Sequence, residues 1–466
     1  DQLLFQSGRD YRLKREVANI LIEHSTTEDS SRLSLPIRKE CLSNGLQVMV
    51  KEVHSAPIVS HWVWYRVGSR NEAAGNTGIS HWVEHMLFKG TPQFPRAMLD
   101  KAISRDGGYW NAFTYLDWTT FFETMPADKV DLALRLEADR MINCTFDEEE
   151  VASERTVIIS ERQGHENEPL FRLGEEIQAA AFRVHSYHHE IIGDLADLER
   201  IQRDDLYRHY RTYYVPNNAV LAVAGDFETE TMLARIRELY EPIPSGSAVG
   251  WQPGPEPPQS GERRVIVEGP GETAYIQVTH HTPAAVHPDF FPLTVMDSLL
   301  TGPSNLNMFG GGISNKTSRL YRALVEGELA VSVFGGLQAT IDPFLHTFTI
   351  IPRPERQLEK VLEVLDDEIH RLQDTPPPMD ELMRAVKQAR ALFAYGSESI
   401  TNQAFWLGFS EMFATYDWFM HYLDKLAAVT PEDVQRVAQV YLRPQNRIVG
   451  IYSPEKRLEN SQEVKG

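Results

Sequence analysis

An internal repeat limits the folds that this chain can adopt. Eight residues recur with the same or a similar side chain, each 228 positions later, on the far side of a Pro-rich stretch. The first set is Leu198, Ile201, Asp205, Leu206, Tyr213, Pro216, Asn218 and Val220, and the second is Leu426, Val429, Asp433, Val434, Tyr441, Pro444, Asn446 and Ile448. A constant spacing between so many pairs is typical of a duplicated structural unit. The sequence therefore predicts two tandem domains of like fold.

The predicted elements follow the same order in both halves. In the first half, a strand at 58–67 and a helix at 78–90 precede a hairpin. In the second half, a strand at 275–281 and a helix at 289–300 precede another hairpin. We therefore predict an α+β fold in which each domain is a mainly antiparallel sheet with helices packed on it.

The limits of the predicted domains follow from composition. Residues 242–261 are rich in Pro, Gly and Ser and lack hydrophobic periodicity, which indicates a linker between the two domains. The predicted order is an N-terminal arm at 1–33, a first domain at 34–241, the linker at 242–261, a second domain at 262–458 and a C-terminal tail at 459–466.

The helix predicted at 78–90 carries a pattern that can bind metal. His81, Glu84 and His85 are spaced so that they share one face of a helix. Neutral imidazoles placed in this way can bind Zn²⁺, and a carboxylate beside them can take a proton from a water on the metal. The chain has 16 histidines, so two core histidines could also produce the pattern by chance. The motif favours metal-assisted hydrolysis if a third ligand can be found.

A second helix, predicted at 147–163, offers that ligand. Glu154 and Glu161 lie two turns apart on one face, and a hydrolytic zinc has three protein ligands and one open position. Either glutamate could reach the metal while the other orients a ligand. A solvated acidic face is the alternative, because Glu148, Glu149 and Glu150 lie on the same helix. His165, four residues beyond Glu161, is a competing ligand, and the residues alone leave these choices open.

Charge and composition exclude several classes of partner. The net charge of −20 disfavours nucleic acid and acidic membranes, whose phosphates would be repelled. No apolar run approaches the length of a membrane span. With only Cys41 and Cys144, the chain has neither a disulfide framework nor a thiolate zinc site. The sequence begins at Asp1 and contains no signal peptide, so the compartment stays open between cytoplasm and periplasm.

Both helices resemble segments of a known family. Residues 78–91 resemble the signature of the inverzincin metallopeptidases, the family of pitrilysin and the mitochondrial processing peptidase. Residues 154–161 are similar to that family's second zinc segment, and the likeness covers roughly residues 34 to 456. The resemblance implies a zinc-bearing first domain with His81, His85 and Glu161 as ligands, Glu84 as general base and Glu154 as a supporting acid.

The same resemblance implies where a peptide substrate would bind. Residues 107–114 are similar to the family's edge strand, along which the substrate lies. Asn111, Ala112 and Phe113 would then hold an extended peptide through main-chain hydrogen bonds, with little sequence preference.

The second half departs from the family pattern. It has no His-x-x-Glu-His motif, and its segment 318–332 resembles one in which the family carries an Arg and, seven residues later, a Tyr. Val325 and Val331 fall at those places because the segment is one residue short. Arg319 is the candidate substitute for the missing Arg, and Arg322 is another.

Some members of this family divide the zinc motif and the Arg/Tyr pair between two chains. We therefore expect a heterodimer with a homologous subunit that carries the pair, and a homodimer is the alternative. The predicted function is a zinc endopeptidase that hydrolyses extended or unfolded peptides in a chamber closed by the partner. A noncatalytic scaffold or assembly subunit of the same fold is the rival, favoured by the missing pair and opposed by the complete metal motif.

Two further patterns are interpreted as structural. His185, His188 and His189 have no acid or cysteine at ligand spacing, which favours a loop or packing role. Glycines at 310–312 precede Asn315-Lys316-Thr317, but Asn315 stands where a phosphate-binding loop needs glycine, so a flexible loop or lid is predicted.

Overall fold

The structure is a computed structural model that describes residues 37–247, 253–304, 306, 314–354 and 356–454. The arm predicted at 1–33, the glycines at 310–312 and the tail predicted at 459–466 lie outside the described residues, as do residues 248–252 of the linker. Within the described part of the chain, none of the helices combines the length and hydrophobicity that a membrane span requires.

The described strands form two sheets. The first has the order β1-β2-β6-β3-β5-β4, and the second has the order β7-β11-β8-β10-β9. The strands are β1 (Arg38–Cys41), β2 (Gln47–Glu52), β3 (Ile58–Tyr65), β4 (Tyr109–Thr114), β5 (Thr119–Pro126), β6 (Ala219–Gly225), β7 (Arg263–Gly269), β8 (Tyr275–Thr282), β9 (Ala330–Leu337), β10 (Phe344–Pro352) and β11 (Arg447–Pro454).

Helices connect and cover the two sheets. They are α1 (Ile79–Leu87), α2 (Arg96–Arg105), α3 (Val130–Asn143), α4 (Glu148–His165), α5 (Pro169–Ala181), α6 (Leu195–Leu198), α7 (Arg203–Tyr213), α8 (Thr229–Tyr240), α9 (Phe290–Leu300), α10 (Leu358–Asp374), α11 (Met379–Tyr395), α12 (Ile400–Phe413), α13 (Tyr416–Met420), α14 (Tyr422–Ala427) and α15 (Pro431–Tyr441), with one π-helical segment at Tyr321–Glu326.

The predicted α+β duplication is confirmed by the pairing of the strands. In each sheet one pair is parallel, β2 with β6 in the first and β7 with β11 in the second, and the other pairs are antiparallel. Helices α7 and α15 begin and end 228 positions apart, as do the short helices Pro216–Asn218 and Pro444–Asn446. The first sheet differs from the second by the added edge strand β1.

The central strands of the first sheet are buried on both faces. All seven residues of β6 are buried, as are seven of the eight residues of β3. β6 is a continuous apolar run and β3 is apolar except for Ser60 and His61, because helices cover both sides of the sheet. Helix α3 packs on β3 and β5, and α12 packs on β3 and β6.

The two halves exchange one helix each. Helix α12 comes from the second half of the chain but packs on the first sheet, whereas α5 comes from the first half and packs on β7, β8 and β11 of the second. At the first of these contacts the rings of Trp64 and Phe405 lie 5.3 Å apart, centroid to centroid. The hydrophobic core therefore contains residues from both sides of the linker. The domain limits at 34–241 and 262–458 stay a prediction.

Helix α12 approaches the first sheet closely at a glycine. A Cβ added to Gly408 would lie 2.1 Å from two ring atoms of Trp64, which is fully buried and has no room to move. We expect Gly408→Ala to lower the free energy of unfolding by about 1–3 kcal/mol, the usual effect of overpacking a core. Urea unfolding followed by intrinsic fluorescence measures the change.

Gly164 in α4 is the matched control, since it is also helical and a Cβ there would meet no atom within 4 Å beyond its own turns of the helix. Gly164→Ala should leave the protein unchanged or stabilise it by up to about 1 kcal/mol. Equal stability of the two variants would contradict the close contact between α12 and the first sheet.

Candidate metal centre

Two glycines bracket α1, the helix that carries the histidine motif. Gly78 and Gly90 have φ angles of 84° and 97°, which glycine adopts without steric cost. A Cβ at Gly78 would also lie 2.4 Å from the carbonyl oxygen of Ile192. The apolar face of the helix is buried, which leaves His81 and His85 half-buried on the opposite face.

Helix α4 brings a glutamate to these histidines. One ligand atom from each of His81, His85 and Glu161 lies within 4.8 Å of the other two. The Oε2 atom of Glu161 is 4.0 Å from Nε2 of His81 and 3.7 Å from Nε2 of His85. Among the described residues, no other group of three or more His, Cys, Asp or Glu side chains meets the same criterion.

The second predicted acid of α4 lies behind the histidines. Glu154 is buried, and its Oε1 is 2.8 Å from Nδ1 of His85. Its other oxygen forms an ion pair with Lys89. Burial opposes ionisation, but the hydrogen bonds from His85 and Lys89 hold the pKa of the Glu154 carboxyl below its usual value. The structure thus places Glu161 with the histidines and Glu154 where it orients one of them.

The donor set fits zinc. Two imidazoles and one carboxylate are a recurrent ligand set of catalytic Zn²⁺, which keeps a fourth position open. The contact between Glu154 and His85 Nδ1 leaves Nε2 of that ring facing Glu161, and metal-binding histidines commonly have such a carboxylate partner. Burial lowers the pKa of His81 to about 3, so this imidazole is neutral, as metal binding requires.

Glu84 lies on the same helix and faces the edge of the first sheet. Its side chain is buried, and its Oε2 accepts a hydrogen bond of 2.6 Å from the hydroxyl of Thr114. Burial raises the pKa of Glu84 to about 7, against the opposing effect of that hydrogen bond. A carboxyl with such a pKa can accept and release a proton near neutral pH.

The predicted substrate residues lie on β4, the strand at the end of the first sheet. β4 is the last strand in the order of the sheet and pairs only with β5, so its other edge has no partner among the described strands. Asn111 is exposed, Phe113 is half-buried and Ala112 is buried, and the amide of Ala112 donates to Oδ1 of Asn111 at 2.9 Å. Thr114, the partner of Glu84, ends the same strand, so this strand contacts the candidate site directly.

Arg319 lies in the second half and is engaged elsewhere. Its guanidinium forms two hydrogen bonds with the carboxylate of Glu381, at 2.9 and 2.7 Å. Val325 lies in the π-helical segment, and Val331 is exposed on the edge strand β9. The structure therefore pairs Arg319 with an acid of α11, and its role in substrate binding stays a prediction.

The other predicted histidines occupy different positions. His165 is 3.8 Å from Oε1 of Glu161 and stacks on Phe171. His185 lies 3.0 Å from the carboxylate of Asp342, and His189 is buried. These contacts agree with the packing role that the sequence indicated for the cluster at 185–189.

Three side chains around the site were not singled out in the sequence: Thr114, Lys89 and Arg155. Arg155 donates to the carbonyl oxygens of Leu198 and Ile201, and its guanidinium lies 4.7 Å from the centre of the Trp82 ring. It thereby ties α4 to α1. All three lie within the segments that carry the family resemblance. That resemblance is the signal from which they could have been predicted.

Comparisons with known proteins agree on one family. The family model described as "Insulinase (Peptidase family M16)" matches residues 47–195, and the one described as "Peptidase M16 inactive domain" matches residues 200–389. An uncharacterised zinc protease of Streptomyces coelicolor is 27% identical over 425 residues, which are 89% of this chain and 89% of that protein.

Two other likenesses extend the comparison. A probable mitochondrial-processing peptidase subunit beta of Arabidopsis thaliana is 30% identical over 304 residues, covering 65% of this chain and 57% of that protein. The crystal structure of a protease from Helicobacter pylori is similar with a TM-score of 0.84 and 26% identity, covering 90% of this chain and 99% of that one.

The contacts of Arg155 lead to a stability prediction. Arg155→Met removes two charged donors and leaves the carbonyls of Leu198 and Ile201 without them, so the free energy of unfolding should fall by about 2 kcal/mol. Thermal unfolding of the metal-free protein measures the loss. Arg208→Met is the control, because the Arg208 side chain is 72% exposed and pairs only at the surface with Asp205; it should change stability by no more than about 0.5 kcal/mol.

Proposed function

Because the chain belongs to the M16 family of peptidases, we propose that it is a zinc-dependent endopeptidase that hydrolyses extended or unfolded peptides. The observation that carries this proposal is the meeting of His81, His85 and Glu161 from two separate helices, with Glu84 beside them. The printed names of its relatives, a zinc protease and a processing-peptidase subunit, support the same class of reaction.

The residues of α1 and α4 divide the work of the site. His81, His85 and Glu161 would hold the ion, and Glu154 would orient His85 through Nδ1. Zinc in such a donor set lowers the pKa of a water molecule and polarises a carbonyl group. The chain itself fixes the two imidazoles on a buried helix, so that little rearrangement is needed when the ion binds.

Glu84 would act as the general base. Its carboxylate takes a proton from the attacking water and later delivers a proton to the leaving amine. The hydroxyl of Thr114 donates to one oxygen of Glu84 and thereby restricts its rotation. The other oxygen stays available for the proton transfer.

The substrate would lie along β4. An extended peptide can add to an open strand edge by main-chain hydrogen bonds, and Asn111, Ala112 and Phe113 would provide that edge. Thr114 on the same strand contacts Glu84, so the strand that binds the peptide also positions the base. This arrangement favours selection by extended shape rather than by side-chain sequence.

We further propose that the chain works with a homologous subunit as a heterodimer whose halves enclose the substrate, with a homodimer as the alternative. Val325 and Val331 stand where the family resemblance implies Arg and Tyr, and Arg319 is paired with Glu381. A partner would supply the missing cationic and phenolic groups. One of the relatives is itself named as the beta subunit of a peptidase, which supports pairing.

A noncatalytic scaffold of the same fold is the second candidate. The match of residues 200–389 to a domain described as inactive, together with the two valines, favours it. The described geometry around His81, His85, Glu161 and Glu84 favours the enzyme, since a scaffold needs no such convergence.

Glu84→Gln tests the proposed chemistry. The amide cannot accept a proton, so hydrolysis of a quenched peptide should fall about 10²- to 10⁴-fold, while zinc content measured by atomic spectrometry stays near one ion per chain. Glu149→Gln, an exposed glutamate on α4, should keep full activity. Full activity of Glu84→Gln, or activity that survives a strong chelator, would contradict the mechanism.

The partner proposal predicts that the purified chain alone is a poor peptidase. Addition of a homologous subunit that carries the Arg/Tyr pair should raise the rate roughly 10²-fold, because the missing groups would position the peptide. The same subunit with both residues changed to Ala is the control and should give little increase. Full activity of this chain by itself would contradict the proposal.

A further inference from the structure

A buried glutamate outside the metal group holds the beginning of α1. The side chain of Glu72 has no solvent exposure. Its Oε2 accepts a hydrogen bond from the amide of Gly78 and its Oε1 accepts one from the amide of Ser80, both at 2.8 Å. Ser80 directly precedes His81, so the Glu72 side chain binds the backbone of the turn that carries the first histidine.

The helix has no local substitute for this contact. The first amides of a helix lack partners within the helix, and a side chain at its first position usually accepts from them. Gly78 stands at that position in α1 and has no side chain to do so. Glu72, six residues upstream, supplies the acceptor, and a carboxylate also suits the positive end of the helix dipole.

The backbone amides are the main compensation for burying this carboxyl group. Burial raises the pKa of Glu72, and the hydrogen bonds from the amides of Ser80 and Gly78 favour the charged form and oppose that rise. The nearest imidazole, His189, has its Nε2 3.7 Å from Oε2 of Glu72, and burial lowers the pKa of His189 to about 4. A buried acid is costly to keep, which suggests that its contacts with α1 serve the site rather than the core.

Neighbouring contacts restrict the same turn from other sides. The amide and hydroxyl of Thr77 donate to Oδ2 of Asp197, at 3.0 and 2.8 Å. The hydroxyl of Ser80 donates to the carbonyl of Gly68 at 3.1 Å, and Nε2 of His209 lies 3.1 Å from the Ser80 hydroxyl oxygen. Glu72 is the member of this set that accepts hydrogen bonds from two backbone amides at the start of α1.

We propose that Glu72 is a positioning residue of the metal centre, which fixes the start of α1 so that His81 and His85 meet Glu161 in a geometry ready to bind the ion. This inference rests on the proposed zinc site. A small rotation of α1 would move both imidazoles together, whereas Glu161 is carried by a different helix. Loss of Glu72 would then weaken metal binding although Glu72 touches no ligand.

Glu72→Gln tests the inference with nearly unchanged shape. The glutamine amide turns a donor toward one of the two backbone amides, so one hydrogen bond is lost. We expect the zinc dissociation constant, measured by competition with a chelating dye, to rise about tenfold or more, in the range found when the support of a ligand is removed. In the metal-free protein, hydrogen exchange at the first turn of α1 should become faster.

Glu256→Gln is the matched control. Glu256 likewise accepts from backbone amides, those of Arg183, Val184 and His185, at 2.8 to 3.0 Å, but it does not contact α1. Glu256→Gln should leave the zinc dissociation constant and the rate of hydrogen exchange in α1 unchanged. Glu154→Gln, which disturbs His85 directly, should weaken zinc binding and serves as the positive control.

The outcomes separate this inference from the proposed function. If the unaltered protein binds no zinc, the proposed function fails, and exchange in α1 still decides whether Glu72 holds the helix. If Glu72→Gln binds zinc like the unaltered protein and α1 exchanges at its normal rate, the inference is wrong. If Glu72→Gln does not fold, Glu72→Asp decides by the same measurements, and failure of both to fold assigns Glu72 to folding and overturns the inference.

Discussion

The contact between α1 and α4 is the interaction on which the candidate site depends. Each helix alone presents an incomplete set of ligands, two imidazoles on one and a carboxylate on the other. The apolar face of α1 is buried against the core, and Arg155 of α4 lies over Trp82 of α1. The contact between Glu154 and His85 adds a polar connection beside the proposed metal ligands. Rigid packing of two helices thus creates a small region with the donor set of a hydrolytic metal.

Buried carboxyl groups recur around this contact with different tasks. Glu84 is bound by a hydroxyl of the edge strand, Glu154 by the imidazole of His85, and Glu72 by the backbone of α1. In each case burial raises the free energy of the charged form, and a specific donor opposes that effect. The environment of each carboxyl therefore sets its role, although all three are the same residue type.

The exchange of helices gives the second half a structural task in the site. Helix α12 covers one face of β3 and β6, while α1 and its neighbours cover the other face of the sheet. The second half also contacts the turn between β4 and β5, since Asp117 in that turn accepts a hydrogen bond from the amide of Ile341. A half without a metal motif thus helps to hold the sheet and the edge strand beside the proposed metal centre.

Much of the fold was predictable because its signals are local or repeated. The spacing of His81 and His85, the glycines at both ends of α1 and the acidic start of α4 are properties of short segments. The 228-residue repeat indicated the duplicated α+β architecture before any contact was known. The assignment of Glu161 rather than Glu154 to the histidines was not accessible from spacing, because both lie on one face of α4.

The sequence by itself determined the helices at 78–90, 147–163 and 289–300, which residues could bind a metal and that the architecture is doubled, since periodicity and side-chain type act within each segment. The family resemblance already implied that Glu161 joins the two histidines, although spacing alone left Glu154 as an alternative. Only the tertiary structure decided that Glu72 caps α1 from outside the helix and that α5 and α12 each pack on the sheet of the other half. The physical reason is that these outcomes depend on how separate segments share one core and satisfy each other's buried polar groups. The contacts of Glu161 and of the two exchanged helices join residues tens to hundreds of positions apart, whereas Glu72 binds amides only six and eight positions later. No local pattern encodes either kind of contact.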